Sequence, residues 1–465
     1  MKISVKNLGA LEEAEFELGD MTIICGKNNT GKTYATYALF GFLSFWREMF
    51  SIRIPDQTLT QLFNEGAIRI DIKAYQEQAA RILEEGCRAY VQQLAKVFAS
   101  SPDRFKQSGF WVNVASSEFS SYAGSFERKM STKNGDIFSI TKEASAMELV
   151  VTFLIEKEKV KIPKDSLTRL IGDALKEIIF GHLFPNPFIA SAERTGAAIF
   201  RRELNFTKNR MLEEVTQKDK NLNPLELLFK VFTDYALPVK TNVEFTRQLE
   251  SISKKKSFIA ENHPEILTNF FDIIGGDYTV TRNDELFFVP QGKRVKLTMD
   301  ESSSAVRSLL DVGFYLRHVA QPGDLLMVDE PELNLHPENQ RRVARLFAHL
   351  LRAGLKVFIT THSDYIIKEL NTLIMLNQPG ADREAVRKRY GYEKEEPLAP
   401  ERIRVYIAEQ KNICKAGHTR KSPCQTLTPA DIDPVLGIEA RSFDETIDEM
   451  NQIQEALLFA GENGQ

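Results

Sequence analysis

Ile3 and Val5, and then Ala14, Phe16 and Leu18, alternate with polar residues as half-buried strands do. Met21 to Cys25 is a short, mostly apolar run that predicts a strand. A Gly-rich turn follows it, and then a helical pattern from Lys32 to about Phe50. Ala74 to Ala99 reads as one long amphipathic helix. From Trp111 to Glu156 the pattern changes to short β runs split by polar turns such as Lys133-Asn134-Gly135-Asp136. Ser166 to Leu183 is helical again, Pro187 to Ser191 is a compact strand, and Ala197 to about Leu249 is largely helical and highly charged.

After Asp277 come three β runs, Tyr278 to Thr281, Leu286 to Val289 and Val295 to Thr298. A helix from Ser303 to about Ala320, a strand Leu325 to Asp329, a helix Pro337 to Arg352, a strand Lys356 to Thr360 and a helix Tyr365 to Leu370 then alternate. Such alternation predicts a parallel, doubly wound sheet. The tail reads differently: a charged linker (Arg383 to Glu396), β runs around Ile403 to Ala408, a polar loop carrying Cys414 and Cys424, and a last helix from Phe443 to Phe459. There is no internal repeat.

Composition narrows the class. The 465 residues leave room for two or three domain-sized units. With 43% hydrophobic and 27% charged residues, disorder is excluded as the main state. A formal net charge of −4 excludes a histone-like basic protein. Four cysteines in a chain this long make a disulfide scaffold implausible and point to a reducing, cytoplasmic setting. The first residues start a strand pattern rather than an export signal, and Ala38 to Trp46 is about half the length of a membrane-spanning helix. A soluble protein with no membrane role is expected.

The turn after Cys25 carries chemistry. Gly26-Lys27-Asn28-Asn29-Thr30-Gly31-Lys32-Thr33 fits the phosphate-loop pattern G-x-x-x-x-G-K-[ST], with a strand before it and a helix after it. Its glycines let backbone N–H groups curl around phosphate oxygens, and the helix N-terminus adds positive potential. Lys32 is expected to reach the β- and γ-phosphates of ATP, and the Thr33 hydroxyl to ligate Mg²⁺. A second constellation lies far along the chain. Leu325 to Val328 leads into Asp329 and Glu330, the first suited to hold Mg²⁺ and the second to polarise an attacking water. Pro331-Glu332-Leu333-Asn334-Leu335-His336-Pro337 follows, and a later strand ends in Thr360-Thr361-His362-Ser363. His362 at a strand C-terminus is placed where α/β sheets present ligands, and is read as a γ-phosphate sensor.

Phosphate loop, acid pair, "DEPELNLHP" and "TTHS", in that order, resemble an ABC-type ATPase head of the SMC and recombination-repair group. The resemblance implies an α/β fold: a P-loop head with a mixed sheet and a β subdomain, a largely helical insert, and a small α+β C-terminal extension. The corresponding domains are residues 1–50 and 277–378 for the two halves of the head, 51–276 for the insert (returning to the head near 185–200) and 379–465 for the extension. It also implies a Ser-rich signature before a helix, here Ser302, Ser303 and Ser304 within Glu301 to Arg307, although Ala305 stands where a glycine is common. In this group the signature touches the γ-phosphate held by a partner head, so ATP would be sandwiched between two copies of the chain. "FIASAERTG" (Phe188 to Gly196) and "GIEARSFDETIDEMN" (Gly437 to Asn451) resemble segments of OLD-like and AAA-labelled defence ATPases. The tail lacks an acidic pair on a strand, Asp431-Ile432-Asp433 reading as a turn. The resemblance is therefore to stand-alone ATPases of the Septu, retron-associated and PARIS phage-defence systems, which implies a separate effector such as a nuclease and a phage trigger.

Three further features carry weaker signals. Arg194 follows a buried-looking strand and is a candidate for contact with phosphate or the opposing head, a surface salt bridge being the alternative. Arg201-Arg202, Lys208 to Arg210 and Lys254 to Lys256 are interleaved with acids, so a solvated face is the better reading and nucleic acid is not indicated. Cys414, His418 and Cys424 lack the fourth ligand and tight spacing of a structural zinc site. The expected function is an ATP-hydrolysing switch controlling an effector. The alternative is an SMC-like DNA-repair or chromosome-handling ATPase, which the absence of sustained heptads in the insert disfavours. A transporter subunit is disfavoured by the missing Gln loop.

Overall fold

The computed structural model describes residues 1–120, 123–132, 135–154, 163–199, 235–414, 421–439 and 449–457. The chain divides into two compact units: Met1–Ser4 with Phe42–Gln93 and Gly109–Pro185, and Val5–Gly41 with Leu94–Ser108 and Asn186–Gln465.

The first unit combines an antiparallel sheet with helices. Its four strands lie in the order Ala67–Asp71, Glu148–Phe153, Gly135–Lys142, Phe126–Thr132. Ile68 and Ile70 pair with Val151 and Leu149, and all four are buried while their neighbours face outward, the period-two pattern of a one-sided sheet. The helices supply an aromatic core. Phe42 meets Phe184 edge-on with ring centroids 5.3 Å apart, Phe50 meets Phe180 at 4.9 Å, and Tyr90 meets Phe110 at 4.9 Å. Edge-to-face contacts of this kind add to the burial of large rings. Gly86, in the Ala79–Val91 helix, lies where a Cβ would be 2.3 Å from the Phe50 ring.

The second unit is built on a six-stranded sheet in the order Lys421–Pro429, Ile403–Cys414, Met21–Cys25, Lys356–Thr361, Leu325–Asp329, Pro187–Ala190. All neighbours are parallel except the first pair, which is an antiparallel hairpin. Met21–Cys25 and Leu325–Asp329 are buried at every position, as strands covered on both faces must be. Helix Pro337–Arg352 buries Val343, Ala344, Phe347, Leu350 and Leu351, and helix Asp364–Leu376 buries Ile366, Ile367, Leu370, Leu373 and Ile374. These residues join the strands in one apolar core. A smaller antiparallel sheet holds Gly276–Val280, Leu286–Pro290 and Leu297–Thr298. The mixed α/β class is as expected.

Several elements differ from the sequence pattern. The expected helix over 74–99 is three pieces, Lys73–Gln76, Ala79–Val91 and Leu94–Val97. The last break coincides with the boundary between the units. The expected helix over 303–320 divides into Ser304–Ser308 and Leu310–His318, with Leu309 at φ −103°, ψ 4° between them. The charged linker contains a helix, Ala381–Arg389, with no buried residue, so no apolar period announced it. The expected Cys-bearing loop is instead part of the long hairpin: Cys414 pairs with Lys421 and Cys424 with Lys411. Asp431-Ile432-Asp433 is not a turn as expected: Ile432–Asp433 is a short strand paired with Gly437–Ile438, and the turn follows it, Asp433 Oδ1 accepting from the N–H groups of Val435 and Leu436. Most of the predicted helix over 197–249 and His418 lie outside the described residues. Among the described residues no helix is long and apolar enough to cross a membrane.

Gly to Ala within a helix ordinarily gains about 1 kcal/mol. At Gly86 the new methyl must displace a packed ring, so Gly86→Ala is expected to lose about 1–3 kcal/mol instead. The denaturant midpoint of the variant reads the sign directly, and a midpoint equal to or above the parent's contradicts this packing.

Candidate functional site

Four parallel strands fix where the site lies. Thr361 pairs with Cys25, Thr360 with Asp329, and Ala190 with Val328. The C-terminal ends of all four strands therefore open at one edge of the sheet. The segments leaving that edge are the phosphate loop, Glu330, His362 and the Ser191 to Arg194 turn. Ligands bind at such an edge in open α/β sheets because loops and helix N-termini converge there.

The loop keeps the geometry its glycines allow. Gly26 has φ +138°, and a Cβ on it would be 2.6 Å from the Ala408 carbonyl oxygen. Gly31 has φ +97°, with Leu11 filling the space a Cβ would need at 2.7 Å. Lys27, Asn28 and Asn29 are exposed, and Asn29 adopts φ +63°. Thr30 Oγ1 donates to the Lys27 carbonyl at 2.8 Å. Lys32 starts the Lys32–Met49 helix and is buried; its Nζ folds back to donate to the carbonyls of Gly26 at 2.8 Å and Lys27 at 2.9 Å. Burial pushes its ammonium pKa down, and Glu330, Asp329 and Glu332 pull it up. Thr33 is exposed at the helix start. Two supports come from the C-terminal hairpin, which the sequence did not connect with the loop: the Ala408 backbone behind Gly26, and Gln425, whose Nε2 donates to the Thr30 carbonyl at 3.1 Å.

The acids lie at the end of Leu325–Asp329. Asp329 is buried; one oxygen accepts from Thr360 Oγ1, and Oδ2 has no partner among the described residues. Burial raises its pKa to about 6, against the Thr360 hydrogen bond, which lowers it. Glu330 takes φ +51°, a left-handed conformation unusual for this residue type. Its N–H donates to the Thr360 carbonyl at 3.1 Å. His362 is 45% exposed, with Nδ1 3.5 Å from Glu330 Oε1 and 3.3 Å from Glu332 Oε1. Glu332 is turned inward: its Oε1 accepts from Thr361 Oγ1 at 2.8 Å and from the His362 N–H at 2.7 Å. It pins the histidine turn.

The remaining candidates fare differently. Arg194 does not face phosphate or a partner, as the sequence suggested, nor does it make a surface salt bridge. It is 1% exposed, and its guanidinium donates to the carbonyls of Ser308, Ser191, Asp329 and Glu330. Ser302 is likewise corrected: it is buried, and its hydroxyl donates to the Thr298 carbonyl at 2.7 Å. Ser303 is exposed and caps its helix, Oγ accepting from the Val306 N–H at 3.3 Å; Ser304 is half-buried. Glu193 is a carboxylate that sequence reasoning passed over. It accepts from the Tyr37 hydroxyl at 2.9 Å, and its charge acts on Asp329. The signal for it was its position just past a strand end. Lys254 pairs with Glu250 as a solvated face does, while Arg201, Arg202 and Lys208 to Arg210 lie outside the described residues. Cys424 is buried, and no group of three or more metal-ligating side chains occurs among the described residues.

Residues 1–367 match the family model described as AAA ATPase domain (AAA_15). Among curated proteins none matches significantly. Solved structures with similarity include an SMC head bound to the C-winged helix domain of ScpA (10% identity, 91% of this chain and 97% of that one, TM-score 0.32). Others are the SMC head domain from Thermotoga maritima (11%, 93% and 98%, TM-score 0.28) and a Pyrococcus furiosus Smc head with an extended coiled coil bound to the C-terminal domain of ScpA (14%, 97% and 98%, TM-score 0.29).

Asp311, in the Leu310–His318 helix, is 1% exposed, and neither of its carboxylate oxygens has a hydrogen-bond partner among the described residues. Burial raises its pKa from 3.8 to about 7, opposed by the charge of Arg194. Between these values the folded chain holds a proton that the unfolded chain has released. Stability contributed by the protonated form is thus lost as pH rises toward 7. Asp311→Asn is expected to raise the melting temperature by a few degrees at pH 8 and to change it little near pH 4. Thermal unfolding at the two pH values checks this; equal shifts at both would contradict it.

Proposed function

The chain belongs to the AAA ATPase domain family, and on that footing we propose that it is an ATP-hydrolysing, ABC-type switch subunit of a phage-defence system. Paired heads would share ATP, and the pair would control a separate effector such as a nuclease. The observation that carries the ATPase reading is the convergence of Lys32, Asp329, Glu330 and His362 at one end of a parallel sheet. The defence reading rests on the likeness of the Phe188 to Gly196 segment to that of stand-alone defence ATPases. It is also consistent with a tail that contributes strands to the head.

In this reading the loop from Gly26 to Thr33 wraps the phosphates, with N–H groups and the start of the 18-residue helix Lys32–Met49 facing the anion. Lys32 exchanges its two carbonyl partners for phosphate oxygens, and its depressed pKa is restored by the negative charge it gains. Mg²⁺ fits the donor set, because Asp329 keeps a buried, unpartnered carboxylate oxygen and Thr33 is exposed at the helix start. When bound it would neutralise phosphate charge between those two residues. Glu330 orients the attacking water, and its backbone is held on both sides by Thr360 and Arg194. His362, kept in place by Glu332, meets the γ-phosphate. Ser303 and Ser304 serve the ATP of the other chain.

Sharing is tested by mixing. Chains with Lys32→Ala and chains with Ser303→Arg are each expected to be inactive. In a mixed pair one site carries both lesions and the other neither, so ATP-dependent pairing, which neither parent shows alone, should return. Mixtures that stay unpaired with ATP would count against shared sites. The defence role is read by phage plating on cells that carry the chain with its neighbouring genes. Plaque numbers should fall at least tenfold, and Lys32→Ala should restore them. Unchanged plating, together with ATP-dependent DNA binding by the purified chain, would favour the DNA-handling alternative.

A further inference from the structure

Arg194 is a charged side chain buried without a carboxylate within salt-bridge distance among the described residues, a costly arrangement unless its donors are satisfied. Its partners explain it. Nε donates to the Ser308 carbonyl at 2.6 Å, Nη1 to those of Ser191 at 2.8 Å and Asp329 at 2.6 Å, and Nη2 to that of Glu330 at 2.8 Å. Asp329, Asp311, Glu332 and Glu330 add a negative field that offsets the desolvation. Ser308 is the last residue of the Ser304–Ser308 helix, which Ser303 caps. Asp329 and Glu330 are the acid pair. One planar group thus joins the far end of the signature helix to two successive carbonyls of the catalytic turn. A guanidinium fork is rigid, so the helix cannot shift along its axis without breaking a bond or moving the acid-pair backbone. Glu330 is also the residue held at φ +51°, a conformation that persists only while its surroundings impose it. The other end of the signature is tied too: Arg307 Nη1 donates to the carbonyls of Met299 at 2.9 Å and Ser302 at 2.6 Å, so turn and helix form one body.

We propose that Arg194 is a positioning residue that couples the signature helix to the acid pair of the same chain, so that docking of Ser303 and Ser304 on a partner's ATP sets Glu330 over the chain's own ATP. The inference rests on the shared-site reading above. In a pair of chains each signature serves the opposite site, while each Arg194 reports to its own. Closing one site therefore readies the other, and hydrolysis is cooperative in ATP.

The test compares wild type, Arg194→Lys and Arg194→Gln by equilibrium ATP binding, light scattering and steady-state hydrolysis. Wild type should form ATP-dependent pairs and hydrolyse ATP with a Hill coefficient well above 1. Arg194→Lys keeps the charge but not the fork. It should bind ATP within about threefold of wild type and still pair, while its kcat falls at least tenfold and its Hill coefficient falls to about 1. Arg194→Gln should lose more kcat with the same affinity. A purely structural role would lower ATP binding and kcat together, in proportion to the folded fraction, and leave the Hill coefficient unchanged; that result overturns the proposal. Variants with wild-type kcat and cooperativity overturn it as well. Should both variants fail to fold, wild type decides: a pair that hydrolyses with a Hill coefficient of 1 has no coupling to carry. A wild type that stays monomeric with ATP and is fully active overturns the shared-site reading itself, and is distinguished from the other outcomes by light scattering.

Discussion

The parallel register of Met21–Cys25, Lys356–Thr361, Leu325–Asp329 and Pro187–Ala190 is the constraint on which the site depends. Each strand contributes a different chemical group just past its last residue, and no two of those groups come from neighbouring parts of the sequence. A slip of one residue in any pairing would turn buried side chains to the opposite face of the sheet, where other core residues already pack. The apolar strands thus set the relative depth of Lys32, Asp329 and His362.

Around that frame the polar groups are held by backbone as much as by side chains. Lys32 rests on two carbonyls, Glu330 on the Thr360 carbonyl, and Arg194 on four carbonyls. Carbonyl dipoles do not titrate and cannot rotate away, so they hold buried charge without creating a competing ion pair. Asp329 and Asp311 show the opposite condition. Both are buried carboxylates with unpartnered oxygens, and the pKa of each is pushed well above its ordinary value. In the proposed function the first would meet Mg²⁺. The second lies beside the coupling arginine, where its charge supports Arg194 at a cost to stability.

Much of this arrangement was legible in the sequence because local pattern and chemistry coincide. Gly26 to Thr33 follows an apolar strand and opens a helix, and Asp329-Glu330 ends another apolar strand, so their types and spacing suffice to find them. Arg194 and Ser302 were misread for different reasons. Arg194 is turned inward by the carbonyls of Ser308, Asp329 and Glu330, all more than 100 positions away, whereas the Ser302 hydroxyl turns back to the Thr298 carbonyl four residues earlier. Glu332 stood in the recognised motif and Gln425 gave no signal; the tasks of both, holding the His362 turn and the Thr30 carbonyl, exist only in the folded chain. Of the hairpin of Ile403–Cys414 and Lys421–Pro429, only Ile403 to Ala408, the apolar neighbour of the phosphate-loop strand, read as β; the rest read as a loop because it is polar.

In the proposed function Lys32 and Glu330, 298 positions apart in the sequence, act on one ATP. Single-turnover hydrolysis by Glu330→Gln, measured beside its equilibrium ATP affinity, tests this most directly. The carboxamide keeps the shape of the side chain but cannot polarise water as a carboxylate does. The variant should bind ATP as tightly as wild type and turn it over at least 100-fold more slowly. Turnover at the wild-type rate with unchanged affinity would contradict it.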